Sequence, residues 1–287
     1  MKALITGAGG QLGRALIAST PAGVDAIAVD RASLDVSDGA AVAALVTAQR
    51  PQLILNSAAY TAVDRAESEV AQAMAINGEA VGHLADAARA VGARLVHVST
   101  DFVFDGMAST PYPVNAAYAP LSVYGRSKME GEIAARRAPD ALIVRTAWVY
   151  AAQGHNFVRT MLRLMRERDE VKVVCDQIGT PSHAGGIARA LWELASAGVS
   201  GTLHYTDSGV ASWYDFAVAI QEEALAIGLL DRAVPVHPIP SSAFPTPARR
   251  PSFSVLDKEA TWAALGWRAP HWRVNLRSML KDLRDHG

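Results

Sequence analysis

Five short apolar runs mark the first half of the chain, and stretches with helical spacing separate them. The runs cover residues 2–6, 25–29, 53–56, 94–99 and 141–145. Between them, alanine-rich stretches at residues 40–49 and 71–90 repeat their apolar positions as an amphipathic helix does. Such apolar strands, alternating with helices, are typical of a parallel sheet covered on both faces. With right-handed crossovers, the pattern predicts an α/β fold with a doubly wound parallel sheet.

The pattern loosens after about residue 150. Six prolines lie between positions 235 and 251, and helical patterns cover residues 156–168, 185–197, 213–226 and 275–284. We therefore expect a first domain over residues 1–150 and a smaller lobe over residues 151–287, with some segments of the lobe returning to the sheet. Residues 101–122 predict a long loop, and loops of that length are usually functional.

Composition and charge exclude several classes of protein. Half of the residues are hydrophobic and the net charge is -1, so no basic field would attract nucleic acid or an acidic membrane surface. The apolar run at the N-terminus is too short for a signal peptide, and no later run is long enough to span a membrane. The single cysteine, Cys175, excludes an intrachain disulfide and suits a reducing compartment. We expect a cytoplasmic protein, with Cys175 inert in a buried strand.

A glycine-rich loop directly follows the first predicted strand. Gly7, Gly10 and Gly13 give a GxxGxxG pattern before a predicted helix. The first glycine permits a tight turn, the second lets a pyrophosphate approach the backbone, and the third permits close packing. The N–H groups and dipole of the following helix favour phosphates. The loop predicts that the first domain is a dinucleotide-binding domain of the Rossmann type.

The end of the second strand leaves the choice of cofactor open. Asp30 could accept hydrogen bonds from an adenosine ribose, which favours NADH, whereas Arg31 could pair with the 2′-phosphate of NADPH. Asp35 and Val36 lie where a pair contacting adenine is expected, although Asp35 could instead cap a helix. Small residues at 57–59, including Ala58 and Ala59, end the third strand and would let a ligand lie against the backbone.

Tyr124 and Lys128 have the spacing of two residues on one face of a helix. A tyrosine pKa near ~10 is too high for acid–base chemistry at neutral pH. A cation about 4 Å away contributes on the order of 4 kcal/mol at an effective dielectric constant near 20. Lys128 is therefore expected to lower the pKa of Tyr124 by about two or three units. Thr100 or Ser99, at the end of the fourth strand, could orient a substrate carbonyl, and we favour Thr100.

Together, these motifs resemble the short-chain dehydrogenase/reductase superfamily, and within it the dTDP-4-dehydrorhamnose reductase family. The resemblance covers nearly the whole chain. The segments that carry it are residues 7–13, 56–64, 99–106, 124–132, 145–150, 156–157, 176–181 and 250–254. It implies that NADPH or NADH delivers hydride to C4 of dTDP-4-dehydro-L-rhamnose, a small-molecule nucleotide sugar, giving dTDP-L-rhamnose.

The resemblance also implies roles for residues. Tyr124 would donate a proton, Lys128 would tune it and anchor the ribose, and Thr100 would polarise the carbonyl. The expected cofactor-binding residues, which also include Tyr124 and Lys128, are Gly7, Gly10, Gln11, Leu12, Gly13, Asp30, Arg31, Asp35, Val36, Ala58, Ala59 and Thr61. The expected substrate-binding residues, which also include Thr100 and Tyr124, are Asp101, Val103, Trp148, Asn156, Gln177 and Arg250.

Alternatives within the same fold stay open. Related dehydratases carry two acids after the threonine, whereas Asp101 is followed here by Phe102, so elimination lacks its base. A reductase or epimerase acting on another nucleotide sugar is the main alternative. A non-catalytic regulatory subunit is disfavoured because Thr100, Tyr124 and Lys128 are intact. Some members form magnesium-bridged dimers through glutamates, but Ala15 occupies one such position, so we expect no metal site and leave a homodimer open.

Overall fold

A six-stranded parallel sheet forms the centre of the computed structural model, which describes residues 1–286. The strands of the described chain are β1 (Lys2–Thr6), β2 (Asp25–Val29), β3 (Leu53–Asn56), β4 (Arg94–Thr100), β5 (Leu142–Thr146), β6 (Val149–Tyr150), β7 (Val171–Val174), β8 (Ile178–Gly179), β9 (Ser182–His183), β10 (Gly201–His204), β11 (Ala211–Ser212) and β12 (Val236–Ile239). Across the sheet the order is β10-β5-β4-β3-β1-β2. The predicted fold class is confirmed.

Helices cover both faces of this sheet. The α-helices of the described chain are α1 (Gln11–Ala18), α2 (Gly39–Gln49), α3 (Val63–Ala66), α4 (Val70–Met74), α5 (Ala80–Val91), α6 (Val123–Ala135), α7 (Phe157–Glu167), α8 (Ala184–Ser196), α9 (Trp213–Ala226), α10 (Glu259–Leu265) and α11 (Trp272–His286). None of these helices is both long and apolar enough to cross a membrane.

Alternate residues of each strand face opposite layers, as the two-residue repeat of a strand requires. In β1, Ala3 and Ile5 pack in the cluster with residues of α1 and α8. Leu4, between them, packs in a second cluster with residues of α2 and α5. Because both faces are buried, the central strands are apolar almost throughout, and this is the pattern visible in the sequence.

The second half of the chain builds its own core. Residues of α7, α9 and α11 pack there with β7, including Met161, Phe216 and Leu276. β10, from this half, pairs with β5 at the edge of the central sheet. β7 ends at Val174, so Cys175 is a partly buried residue beyond the strand, which corrects its predicted place in a buried strand. At the bend that follows, Asp176 accepts hydrogen bonds from the backbone N–H and the hydroxyl of Ser241.

The helix predicted over residues 71–90 is interrupted by a π-helical segment, Ala75–Glu79, between α4 and α5. The wider turn contains Asn77, which is fully buried. Its side-chain amide donates to Tyr60 O at 3.0 Å and to Ser127 Oγ at 2.9 Å, and its carbonyl accepts from Tyr60 N at 2.8 Å. Asn77 thus joins the loop after β3 to α6.

Candidate active site

Two cavities lie at the carboxyl ends of the parallel strands, where open α/β sheets bind ligands, and a third lies in the second half of the chain. The first, which we call the inner cavity, has a volume of about 410 Å³. It brings together the glycine loop and the end of β4 with α6. Its lining residues include Gly10, Gln11, Leu12, Gly13, Ala59, Thr61, Thr100, Asp101, Tyr124, Lys128 and Trp148. Most of the predicted catalytic and cofactor-binding residues of the sequence therefore meet at one place.

The glycine loop is too crowded for larger residues at its ends. Gly7 has a φ of +73°, and a Cβ there would lie 2.6 Å from Ala58 N. A Cβ on Gly13 would lie 2.1 Å from Gly7 O. Gly10 is the N-cap residue of α1 and has no side chain to occupy the free N–H groups of the first turn. The loop thus keeps an open backbone surface at the positive end of a helix.

The second cavity, which we call the loop cavity, continues the inner one past the glycine loop and has a volume of about 500 Å³. Both cavities are lined by Gly10, Ser57, Ala59 and Thr61. The loop cavity also contains the predicted adenosine-side residues, namely Gly7, Asp30, Arg31, Asp35, Val36 and Ala58. Together, the two cavities form one groove, and its lining contains all the predicted cofactor-binding residues.

The carboxylates of the loop cavity are partly engaged by their own turns. Asp30 Oδ1 accepts hydrogen bonds from Ser33 Oγ at 2.8 Å and from Ser33 N at 3.0 Å, and these bonds lower the pKa of Asp30. Asp35 Oδ1 accepts from Ser37 Oγ at 2.6 Å, which lowers the pKa of Asp35 in the same way. The N-cap of α2 is Asp38, so the alternative that Asp35 caps this helix is wrong.

Tyr124 lies in the first turn of α6. Ser122 caps this helix by accepting a hydrogen bond from Gly125 N, and a Cβ on Gly125 would lie 2.3 Å from Phe102 O. The close approach packs the start of α6 against the 3₁₀ turn Asp101–Val103, and the rings of Phe102 and Tyr124 meet edge to face at 5.4 Å.

The protonation of Tyr124 differs from the prediction. Burial raises the pKa of Tyr124 to about 12, the charge of Asp101 adds to the rise, and a hydrogen bond with Thr100 opposes it. The predicted lowering by Lys128 is therefore wrong. The physical reason is that the phenol is desolvated and that the amine of Lys128 donates to Val98 O at 2.7 Å.

Lys128 is buried one helical turn from Tyr124 and is 2% exposed. Burial lowers the pKa of Lys128 to about 8, and the charge of Glu132 opposes this shift. Its Nζ also lies 3.5 Å from His97 Nε2. His97 lies on β4 and is a residue that sequence analysis missed, although its position in the apolar run 94–99 predicts its burial.

Thr100 ends β4 with its hydroxyl in a fixed environment. Its Oγ1 donates to Asp101 Oδ1 at 2.9 Å and accepts from Phe102 N at 3.2 Å. Burial raises the pKa of Asp101 to about 6, and hydrogen bonds from Ser254 and Thr100 oppose the rise. A threonine hydroxyl and a carboxyl of raised pKa thus stand beside the Tyr124 phenol.

A buried ion pair behind these residues is the largest feature that sequence analysis missed. Glu132 accepts from Arg145 Nε and Arg145 Nη2, both at 2.8 Å, from Ser99 Oγ at 2.6 Å and from Tyr118 OH at 2.7 Å. Glu132 follows Tyr124 and Lys128 at the same four-residue interval, so the helical repeat could have placed it on their face. The pair connects α6 and β5 with the end of β4.

Trp148 closes the inner cavity in an unusual backbone conformation. Its φ is +48°, a left-handed value that non-glycine residues seldom adopt. Its ring stacks on Trp213 with centroids 3.5 Å apart, and a Cβ on Gly179 would lie 2.6 Å from the indole. Trp213 also lines the third cavity.

This third cavity, which we call the lobe cavity, lies on the other side of the stacked tryptophans. It has a volume of about 560 Å³ and includes two predicted substrate residues, Gln177 and Arg250. Arg250 already forms a bidentate pair with Asp64, with Nη1–Oδ1 2.9 Å and Nη2–Oδ2 2.8 Å. Gln177 donates to Ser241 Oγ at 3.0 Å. Both residues therefore lie outside the inner cavity.

Two other residues that were predicted to bind substrate, Val103 and Asn156, instead pack in the core or cap a helix. Val103 is fully buried and packs with Phe104 and Leu256, which corrects its assignment to the substrate site. Val103 is buried because its side chain lies on the inward face of the 3₁₀ turn. Asn156 caps α7 and donates to Gln11 Oε1 at 2.8 Å, so it joins the lobe to the glycine loop.

The family model of the RmlD substrate binding domain matches residues 1–285 of the chain. A dTDP-4-dehydrorhamnose reductase of Burkholderia thailandensis is 45% identical over 99% of both chains. A dTDP-4-dehydrorhamnose reductase of Aggregatibacter actinomycetemcomitans is 40% identical over 96% of this chain and 97% of that relative.

Solved structures agree with these sequence matches. A dTDP-4-dehydrorhamnose reductase of Clostridium acetobutylicum has a TM-score of 0.94 at 39% identity, over 99% of this chain and 100% of the other. The enzyme of Bacillus anthracis, solved in complex with NADP, has a TM-score of 0.92 at 35% identity, over 98% of this chain and 99% of the other. The resemblance stated from the motifs is confirmed, and the chain belongs to the RmlD substrate binding domain family, that of the dTDP-4-dehydrorhamnose reductases.

Proposed function

We propose that the protein reduces the C4 keto group of dTDP-4-dehydro-L-rhamnose to dTDP-L-rhamnose with NADPH or NADH. The observation that carries this proposal is the meeting of Thr100, Tyr124 and Lys128 with the glycine loop in the inner cavity. Relatives of at least 40% identity over nearly the whole chain have the name of this reductase. Their similarity supports the same chemistry here.

The groove formed by the inner and loop cavities fits a dinucleotide. The backbone at Gly7 and Gly13 has no room for a Cβ, and the N-terminus of α1 presents unoccupied N–H groups toward the groove. Gly10, Gln11 and Leu12 would hold the pyrophosphate, and residues of the loop cavity would hold the adenosine. When bound, the nicotinamide supplies the hydride for C4.

Arg31 supports use of NADPH, because it provides a cation in the loop cavity for a 2′-phosphate. Asp30, the feature that favours NADH, already accepts hydrogen bonds from Ala32 and Ser33. The relative from Bacillus anthracis was solved with NADP. We therefore propose that NADPH is accepted, with NADH as the comparison.

The proton for the carbonyl oxygen comes from Tyr124. Since burial raises the pKa of Tyr124 to about 12, the phenol is protonated at neutral pH and ready to act as an acid. Thr100, hydrogen-bonded beside it, would turn its hydroxyl from Asp101 Oδ1 to donate to the same oxygen and orient the carbonyl. As hydride adds to C4, the O–H bond of Tyr124 breaks, its proton moves to the new alkoxide, and a phenolate remains beside Lys128.

We assign the nucleotide part of the substrate to the lobe cavity. This cavity begins where the inner cavity ends, at the stacked rings of Trp148 and Trp213. The cationic side chains that line it are Arg163, Arg168 and Lys172, together with Arg250 in its pair with Asp64. Such a surface suits a diphosphate. In this arrangement residues 151–287 act mainly as the substrate-binding lobe.

The proposal is tested by following nicotinamide absorbance with purified protein, dTDP-4-dehydrorhamnose and either cofactor. We expect oxidation of the cofactor that depends on the substrate, and a product carrying two additional hydrogens by mass spectrometry. Tyr124→Phe is the control for background oxidation. If neither cofactor is consumed above this control, the reductase proposal is refuted. Interconversion of sugar epimers without net cofactor consumption would favour the epimerase alternative.

A further inference from the structure

A line of buried polar side chains leads from β1 to Lys128. Thr6 Oγ1 donates to Asn56 Oδ1 at 2.7 Å, Asn56 Nδ2 lies 3.1 Å from His97 Nδ1, and His97 Nε2 lies 3.5 Å from Lys128 Nζ. Thr6 and His97 are fully buried, and Asn56 and Lys128 are 2% exposed. Predictions from the sequence give no role to His97, although it contacts a proposed catalytic side chain.

The hydrogen bonds of Asn56 determine which nitrogen of His97 carries the proton. Asn56 Oδ1 accepts from the backbone N–H of Ala58 at 3.1 Å, and a backbone N–H can only donate. The amide is therefore oriented with its Nδ2 toward His97, and Nδ2 can only donate. His97 Nδ1 must accept that bond. In the neutral ring, the proton then lies on Nε2, the nitrogen that faces Lys128.

The charged form of His97 is disfavoured from both sides. An imidazolium would direct an N–H at the amide N–H of Asn56 and another at Lys128. Burial lowers the pKa of His97 well below its usual value, and the charge of Lys128 lowers it further. The ring thus keeps a single Nε2–H at neutral pH.

This proton has a direct consequence for Lys128. A neutral amine offers a lone pair that can accept from His97 Nε2–H, whereas an ammonium has three donors and no acceptor. Val98 O already accepts from Lys128 Nζ at 2.7 Å. We propose that His97 is a positioning residue for Lys128. The Nε2–H of His97 stabilises the neutral amine of Lys128 and disfavours the ammonium. As a role in catalysis, this inference depends on the proposed reduction.

The role fits the step that follows proton donation. After Tyr124 has lost its proton to the substrate, the phenolate must regain one. An ammonium that releases its proton readily can supply it, and His97 would stabilise the amine that is left. Protonation of Lys128 from water then completes the cycle. The balance is one proton to the sugar oxygen and one from solvent in each turnover.

Other ionisable groups around α6 face different partners. On α6 itself, Glu132 is the anion whose charge raises the pKa of Lys128. Asp101, in the 3₁₀ turn, acts on Tyr124. The other charged groups have other neighbours or face solvent. Asp64 pairs with Arg250, Arg65 with Glu69, and Asp86 with Arg89 and Arg137. Arg94 donates to Ala195 O, His83 lies against Gly39, and Glu79, Arg126 and Glu130 are exposed.

Lysine NMR can test the inference on the protein without cofactor. The chain has five lysines, so side-chain ¹³Cε labelling gives few signals, and Lys128→Arg identifies the one of interest. In the wild type we expect the pKa of Lys128 to lie below the usual lysine value of about 10.4. In His97→Leu it should rise by about one unit, since a hydrogen bond that favours the amine is lost.

Two variants make the result specific. His97→Gln can present an amide N–H toward Lys128, so the pKa of Lys128 should stay closer to its value in the wild type. His83→Leu is the same change at a histidine against Gly39 and should have no effect. In the wild type, ¹⁵N shifts should show His97 with a proton on Nε2. A proton on Nδ1, a charged ring at neutral pH or an unchanged Lys128 titration in His97→Leu would overturn the inference.

Failure of this inference is separable from failure of the reductase proposal, because the titration needs no turnover. If His97→Leu does not fold, the ¹⁵N measurement on the wild type and the titration of His97→Gln still decide the question. With activity established, the alkaline limb of kcat against pH should move upward in His97→Leu alongside the NMR titration. A fall in kcat with no movement of that limb would indicate a merely structural role.

Discussion

Replacing Glu132 by Gln leaves the guanidinium of Arg145 buried without a counter-charge. Glu132 is fully buried and Arg145 is 2% exposed. The carboxylate accepts four hydrogen bonds, two of them from Arg145. A glutamine has one oxygen for these donors, and its NH₂ group would face a donor on the other side. The substitution therefore breaks the pair while it keeps the shape of the side chain.

The expected loss of stability follows from the burial of both partners. Removing one member of a buried ion pair costs about 3–5 kcal/mol, because an uncompensated charge remains in the interior. Total stabilities are about 5–15 kcal/mol, so this loss is a large share. At about 2–4 °C for each kcal/mol, the melting temperature of Glu132→Gln should fall on the order of 10 °C.

Thermal unfolding followed by circular dichroism measures this fall. Glu167→Gln is the matched control, since it breaks the exposed pair of Arg163 and Glu167 on α7, where the side chains are 58% and 53% exposed. Such pairs contribute about 0.3–0.5 kcal/mol, so the control should melt within about two degrees of the wild type. Combining Glu132→Gln with Arg145→Met should restore part of the loss. Equal melting temperatures for Glu132→Gln and its control would refute the reasoning.

Three further outcomes are expected. Tyr124→Phe should reduce turnover at least about a hundredfold, because the proton donor is lost. Fluorescence titration should show that the cofactor affinity is unchanged. Turnover comparable to that of the wild type would contradict the role of Tyr124 as proton donor. Gly13→Ala should lower the melting temperature, since its Cβ would lie 2.1 Å from Gly7 O, whereas the nearest neighbour of a Cβ on Gly9 is at 3.7 Å, so Gly9→Ala should not. Burial raises the pKa of Asp207 from 3.8, its value in the unfolded chain, to about 7. The contribution of protonated Asp207 to the free energy of unfolding is therefore full below pH 3.8 and is lost as the pH rises through about 7. Asp207→Asn should flatten this decline between about pH 5 and pH 8 in a melting series, and parallel curves would contradict the assignment.

The fold was predictable where one physical signal dominates. The central strands are buried on both faces, so their apolar runs stand out, and the helices between them keep a clear repeat. β10 gave no such signal, because its four residues begin with an exposed glycine and end with a buried histidine. The π-helical turn at Ala75–Glu79 depends on bonds from Asn77 to distant residues, and a local pattern cannot show them.

The site was predictable to a similar degree. Glycines and the Tyr124–Lys128 spacing are local features, and the parallel strands bring them to one edge. The direction of the pKa shift of Tyr124 was wrong, because it depends on desolvation and on where the Lys128 amine points. Likewise, Arg250 was expected to bind substrate, and its bond to Asp64 joins residues far apart in the sequence.

The position of β10 has a consequence for biosynthesis. This strand pairs with β5 from about sixty residues further along the chain, and Leu142 and Val144 of β5 are fully buried. A nascent polypeptide that ends near residue 150 therefore presents an unprotected apolar sheet edge, the kind of surface that recruits other chains. Completion of the central sheet has to wait until residue 204 leaves the ribosome, so a chain truncated near residue 150 is expected to aggregate rather than fold alone.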